Sequence, residues 1–129
     1  MSFKLERLQD MPALHLSFSD DVVFADIMLE MSDAVFNALE QETHPIYYII
    51  DGQNLKMTFN DILNSVQYGT KTGHSNFKHR NIKQLIFVSN SKMIATVVKG
   101  LNTVSFGNVN AIVLERLDDA LSYVRMNAA

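Results

Sequence analysis

An acid, two amides and a hydroxyl stand close together in "DGQNLKMT": Asp51, Gln53, Asn54 and Thr58. Two more polar groups, Ser89-Asn90-Ser91 and Glu115-Arg116, follow apolar runs of the same kind. Such side chains hold ligands by hydrogen bonds, and an acid can also move a proton. Each has a plainer use at the same place. Asp51 can accept backbone amides where a strand ends, Gly52 lets the chain turn, and Thr58, Ser89 or Ser91 can cap a following helix. Asp51, Gln53, Asn54, Thr58, Ser89 and Ser91 are therefore the candidates for contact with a ligand or partner. The architectural duty is the competing reading of each one taken singly.

A basic stretch, "TKTGHSNFKHRNIK", offers Lys71, Lys78, Arg80, Lys83, His74 and His79, with Phe77 as a ring on which RNA bases can stack. It runs from a helix end into a strand start, the opposite edge from the one where α/β sheets bind ligands. Basic residues after a helix end also complement its dipole. No dense basic run occurs, so nucleic acid is not expected as a partner. His74 and His79 lack a supporting ligand cluster, so no metal site is expected. The Gly-rich dinucleotide turn, the phosphate loop and the Gly-x-Ser-x-Gly elbow are all missing, which leaves no motif for a catalytic residue or a cofactor. The expectation is a protein that is not an enzyme.

With 129 residues, 47% hydrophobic and 19% charged, the chain has the balance of one globular domain spanning residues 1–129. No apolar run reaches the ~18 residues of a membrane helix, and the N-terminus lacks a signal pattern. There is no cysteine, so neither disulfide nor thiolate chemistry is available, and a cytoplasmic location is expected. Charge is unevenly spread. Residues 1–65 carry eleven acids against three Lys or Arg, and residues 66–129 carry three against eight, giving halves of −8 and +5. That separation can steer a charged partner, or simply reflect two different solvated faces of one fold.

Periodicity supplies the elements. Residues 3–18 alternate apolar and polar, with a turn at Gln9-Asp10-Met11-Pro12, and read as an antiparallel hairpin. Residues 25–41 show a helical stripe of Ile27, Met31, Ala34, Val35, Ala38 and Leu39, with Asp20 or Asp21 available to cap its start. Apolar strands are expected at 46–50, 84–88 and 110–114. A helix at 58–68 follows the first, with Thr58 and Asp61 as a variant capping box. A helix capped from Ser89-Asn90-Ser91 and burying Met93, Ile94, Val97 and Val98 follows the second. A helix with Leu117, Ala120, Leu121 and Val124 inward follows the third. Strands apolar at every position and separated by helices are buried on both faces and run parallel. The fold expected is a mixed α/β sheet: an antiparallel N-terminal hairpin, three parallel strands, and crossover helices on both faces.

The order of elements, with "YYIIDGQNL", "QLIFVSNSKMIATVVKGL" and "NAIVLERLDDALSYVR", resembles bacterial STAS-like proteins. These are similar to the sporulation anti-sigma-factor antagonist, in a branch often named together with the CRAL-TRIO lipid-binding fold. The likeness covers most of residues 13–126, with Tyr123 where the family commonly has an aromatic. The resemblance implies a STAS-like fold and a small non-enzymatic regulatory or protein-interaction role. It also implies an alternative, a carrier of a small apolar, lipid-like ligand, for which seven Met and eight Phe offer lining or simply core. Signalling members carry a phosphorylatable residue in an Asp-Ser-x-Gly turn. Here that place reads Met57-Thr58-Phe59-Asn60-Asp61. The motif is absent, yet Thr58 keeps a hydroxyl at a helix N-terminus, where a phosphate is electrostatically favoured, so Thr58 is the candidate phosphorylation site.

Leu101, Val104 and Phe106 follow the third helix in "KGLNTVSFGNVN". If that helix stops at Gly100, these residues need cover, and a second copy in a homodimer is the expected one. A helix continuing through Val104 leaves only Phe106 unplaced.

Overall fold

The computed structural model describes residues 3–20, 22–53, 79–102 and 109–128. The alternating N-terminal segment forms two antiparallel strands, β1 (Phe3–Arg7) and β2 (Ala13–Phe18). Phe3 lies opposite Phe18 and Leu5 opposite Leu16, so one face of the pair is apolar, while Lys4 and Glu6 pair with Ser17 and His15 on the other. The Arg7 guanidinium holds the turn by donating to the carbonyls of Leu8 and Met11.

Helix α1 (Phe24–Glu40) leads to β3 (Ile46–Asp51). The chain is described again at β4 (Ile82–Val88), α2 (Lys92–Leu101), β5 (Ala111–Leu114) and α3 (Leu117–Asn127). The five strands stand in chain order, β1-β2-β3-β4-β5. The three apolar strands are parallel and adjacent, as expected, with Ile49 beside Ile86 and Ile86 beside Ile112. β2 joins them, because it also runs parallel to β3, with Leu14 beside Tyr48. Among the described residues the parallel set therefore has four members. The hairpin reading accounted for only one side of β2.

Helices cover both faces, as expected; the described crossover helices, α1 and α2, share one face and α3 takes the other. α1 contributes Ile27, Val35 and Leu39, and α2 contributes Val98, to one cluster with Leu14, Leu16, Tyr48, Ile50 and Leu85. The opposite cluster, of Ala13, Tyr47, Ile49, Ile86 and Val88, is closed by Ala120 and Val124 of α3. Crossover helices were expected on both faces, and the two described ones, α1 and α2, lie on one. When strands follow one another in the same direction, crossovers of one hand all pass over one face. α3 leaves the edge strand without returning to the sheet as a strand, so it is free to fold under.

The helix ends show which local signals acted. Ser91 caps α2, its Oγ accepting from the Ile94 N–H at 3.3 Å. α1 starts from Val23 with no side-chain cap; Asp20 lies in the preceding turn, and Asp21 falls outside the described residues. A backbone turn, Asp26 N–H to the Val23 carbonyl at 3.0 Å, does the work there. Met93 is 41% exposed rather than buried, because it stands off the Ile94, Val97 and Val98 stripe. α2 passes Gly100 by one residue and ends at Asn102 as C-cap. The helix expected at 58–68, and Val104 and Phe106, lie outside the described residues.

Of the basic stretch, His79 and Arg80 are described, and both turn to Glu40 in the last turn of α1. His79 Nε2 is 2.6 Å and Arg80 2.9 Å from Glu40 Oε2. His79 Nδ1 accepts the Asn81 N–H at 3.0 Å, so in the neutral ring the proton sits on Nε2 and points at the carboxylate. The Arg80 hydrogen bond, then that of His79, holds the Glu40 carboxyl below its ordinary 4.5. A depressed folded value means that this stabilisation is present above pH 4.5 and is lost as pH falls through the folded value. Glu40→Gln is expected to flatten the acid limb of stability against pH, measured by urea unfolding between neutral and acid pH. An unchanged limb would remove Glu40 from the acid response.

Candidate functional site

The parallel strands deliver Asp51, Ser89 and Glu115 to one edge of the sheet, the edge where open α/β sheets bind ligands. Main chain and side chains stitch the three loops together. Gly52 N–H donates to the Val88 carbonyl and Ser89 N–H to the Leu114 carbonyl, both at 2.9 Å. Gln53 Nε2 reaches the Glu115 carbonyl at 3.4 Å. A Cβ at position 52 would meet the Val88 carbonyl oxygen at 3.4 Å, an ordinary van der Waals contact, so the space there does not demand glycine.

Four of the candidates from sequence, Asp51, Gln53, Ser89 and Ser91, are brought to this edge. Asn54 and Thr58 lie outside the described residues. Asp51 Oδ1 accepts the Gln53 N–H at 3.1 Å, an Asx turn. Ser89 Oγ accepts the Ser91 N–H at 3.1 Å, and Ser91 Oγ caps α2. The architectural duties proposed for these residues are present. Gln53, Asn90, Glu115 and Arg116 are exposed around them. Arg116 is turned to Asp119 of its own helix, with Nη2 3.3 Å from Oδ1. Among the described residues, no group of three or more His, Asp or Glu is placed to hold a metal ion.

The sequence reading passed over His15. Its Nε2 is buried without a hydrogen-bond partner and faces Asp51 Oδ2 at 3.9 Å, with the two side chains 15% and 17% exposed. The distance is too long for a hydrogen bond, yet a small movement closes it. His15 lies beside Ile49, and Asp51 is two residues further along β3, so the two side chains share a face. Asp51 thus divides its oxygens, Oδ1 on the turn and Oδ2 toward the imidazole. The parallel pairing of β2 with β3 is what brings them together, and a hairpin-only reading of β2 hides it.

Asp51→Ala is expected to lower unfolding free energy by about 1 kcal/mol, chiefly by removing the turn acceptor. Asp51→Asn keeps an acceptor oxygen and should lose less. Urea denaturation of both variants checks the order. Unchanged stability in Asp51→Ala would mean the turn does not need the side chain.

At the other end of the strands a polar chain holds α3 down. Tyr123 Oη donates to Gln84 Oε1 at 2.7 Å, and the Tyr47 and Tyr123 rings meet edge-on at 6.3 Å. Tyr123, which matched the resemblance on sequence, therefore works as an anchor.

No helix among the described residues is long and apolar enough to cross a membrane. No protein-family model matches the sequence, and no curated protein matches it. Among solved structures, one similar to this chain is the crystal structure of an uncharacterised protein of the DUF3478 family, with a SpoIIAA-like fold, from Shewanella loihica PV-4. It is 18% identical, with 95% of this chain and 92% of that one covered and a TM-score of 0.61. With strand order, pairing and helix faces in place, the chain has a SpoIIAA-like, STAS-like α/β fold.

Proposed function

We propose that the protein is a small, non-enzymatic regulatory or protein-interaction module of the cytoplasm. The observation that carries this reading is how the carboxyl edge of the sheet is used. Asp51, Ser89 and Ser91 are engaged by backbone amides that shape turns and a helix cap. What the edge turns outward is a set of exposed polar side chains, Gln53, Asn90, Glu115 and Arg116, on loops tied to one another. A rigid polar rim suits recognition of another surface. Thr58 is the residue on which phosphorylation would act.

Native mass spectrometry of the purified protein, with solvent extraction, tests the reading against its rival. The expected result is a protein with no stoichiometric apolar ligand. An extractable lipid at one per chain would make the protein a carrier and overturn the proposal. The homodimer expected around Phe106 is tested by light scattering. A dimeric wild type that Phe106→Glu renders monomeric supports it, and a wild type monomeric at high concentration removes it.

A further inference from the structure

β5 is an edge strand: β4 lies on one side, and among the described residues no strand lies on the other. The Asn110 carbonyl accepts from Leu85 N–H and the Leu114 carbonyl from Ser89 N–H. Alternate residues of a parallel strand bond to opposite sides, so Ala111 and Val113 direct their peptide groups away from β4. Ala111 is not left open. Its N–H donates to Asn102 Oδ1 at 3.1 Å, and its carbonyl accepts from Asn102 Nδ2 at 3.0 Å.

Two opposed hydrogen bonds exchanged with a single residue are the pattern of a hydrogen-bonded pair in an antiparallel ladder. The Asn102 carboxamide stands where the peptide groups of a further antiparallel strand would stand. It is a side chain at the C-cap of α2, steadied by a bond to the Val98 carbonyl at 3.2 Å, and it meets only the first of the two outward residues. The segment Ala111-Ile-Val-Leu114 carries neither charge nor proline. The opposite edge strand, β1, carries Lys4, Glu6 and Arg7, the side chains that deter strand addition.

We propose that the outward edge of β5 is a docking surface for the same edge of a second copy of this chain, held closed by the Asn102 amide. The edge is its own complement. A two-fold axis at Ile112 sets Ala111 opposite Val113 of the second copy and Val113 opposite its Ala111. Each pair exchanges both backbone bonds, an apolar strand meets an identical one, and no charge is buried.

Light scattering on the wild type, Asn102→Ala and Asn102→Ala/Val113→Pro tests it. Asn102→Ala is expected to raise the mass above that of the wild type at the same concentration, to twice it where the wild type is a monomer. Proline at 113 removes a donor that the docked strand needs and leaves the bonds to β4 intact, so the double variant returns to the wild-type mass. A folded Asn102→Ala with wild-type mass overturns the proposal, as does a rise in mass that proline fails to reverse. If Asn102→Ala does not fold, hydrogen exchange on the wild type decides. The proposal expects a protected Ala111 amide and a Val113 amide exchanging near the free-chain rate. A protected Val113 amide overturns it. Val113→Pro tests this edge and Phe106→Glu the homodimer proposed above, so the two ideas have different tests.

Discussion

Asn81→Ala is expected to destabilise the fold by about 1–3 kcal/mol, because the half-buried Glu42 carbonyl loses this donor and the Leu39 carbonyl keeps only a backbone one. Asn81 is 7% exposed, and its Nδ2 donates to the carbonyls of Leu39 at 2.8 Å and Glu42 at 3.0 Å. These belong to the end of α1 and the turn after it, where the Leu39 carbonyl also accepts the Glu42 N–H at 3.1 Å. The Asn81 backbone is engaged as well, its carbonyl accepting from Ile46 N–H at 2.8 Å, and alanine leaves that bond in place. The loss therefore isolates the side chain. Asn81→Asp should lose at least as much at neutral pH, since a carboxylate has no hydrogen to give and sets charge against two carbonyls. Urea unfolding measures both. A loss well under 1 kcal/mol for alanine would mean that solvent replaces the amide, and the joint would then be less sealed than its burial implies.

Ile86→Ala should cost about 2–5 kcal/mol, and Ile86→Val about 0.5–1.5 kcal/mol, by removing buried methyl groups and leaving a void. Ile86 is fully buried beneath Ala120 and Val124 of α3, whereas its neighbour Leu85 points the other way, toward α1 and α2. The two positions give a paired experiment in hydrogen exchange. Ile86→Ala should speed exchange most in α3, and Leu85→Ala should speed it most in α1 and α2. Equal effects on all three helices would mean that the layers open as one unit.

What was legible in the sequence is what local chemistry decides. The strands read at 46–50, 84–88 and 110–114 match Ile46–Asp51, Ile82–Val88 and Ala111–Leu114 within two residues, because buried strands need apolar cores; Lys83 hid the start of β4. Ser91 as a cap and Asp51 as a turn acceptor were readable because each bonds within three residues of itself. What was hidden depends on register and on strand order. His15 meets Asp51 only because β2 lies parallel to β3, and nothing within either strand says so. His79 reaches Glu40 across 39 positions, so a stretch that reads as a basic patch is partly a joint. The start of α1 carries no cap signal because a backbone turn replaces one. Met93 misled because an apolar residue in the first helical turn can belong to either side of the stripe.

The one-way march of strands has a temporal consequence. A chain emerging from its N-terminus can lay each new parallel strand on the one before it, with α1 and α2 passing over a single side as they form. The other side fills with Ala13, Tyr47, Ile49, Ile86 and Val88, yet its lid belongs to residues 117–127, which emerge after every strand. For most of synthesis that apolar surface has no cover of its own from α3. A chain stopped before Leu117 should bind a hydrophobic dye that the longer chain ignores. The last helix acts less as a strut than as a seal, and the interval before it closes is when the nascent protein is most exposed to other chains.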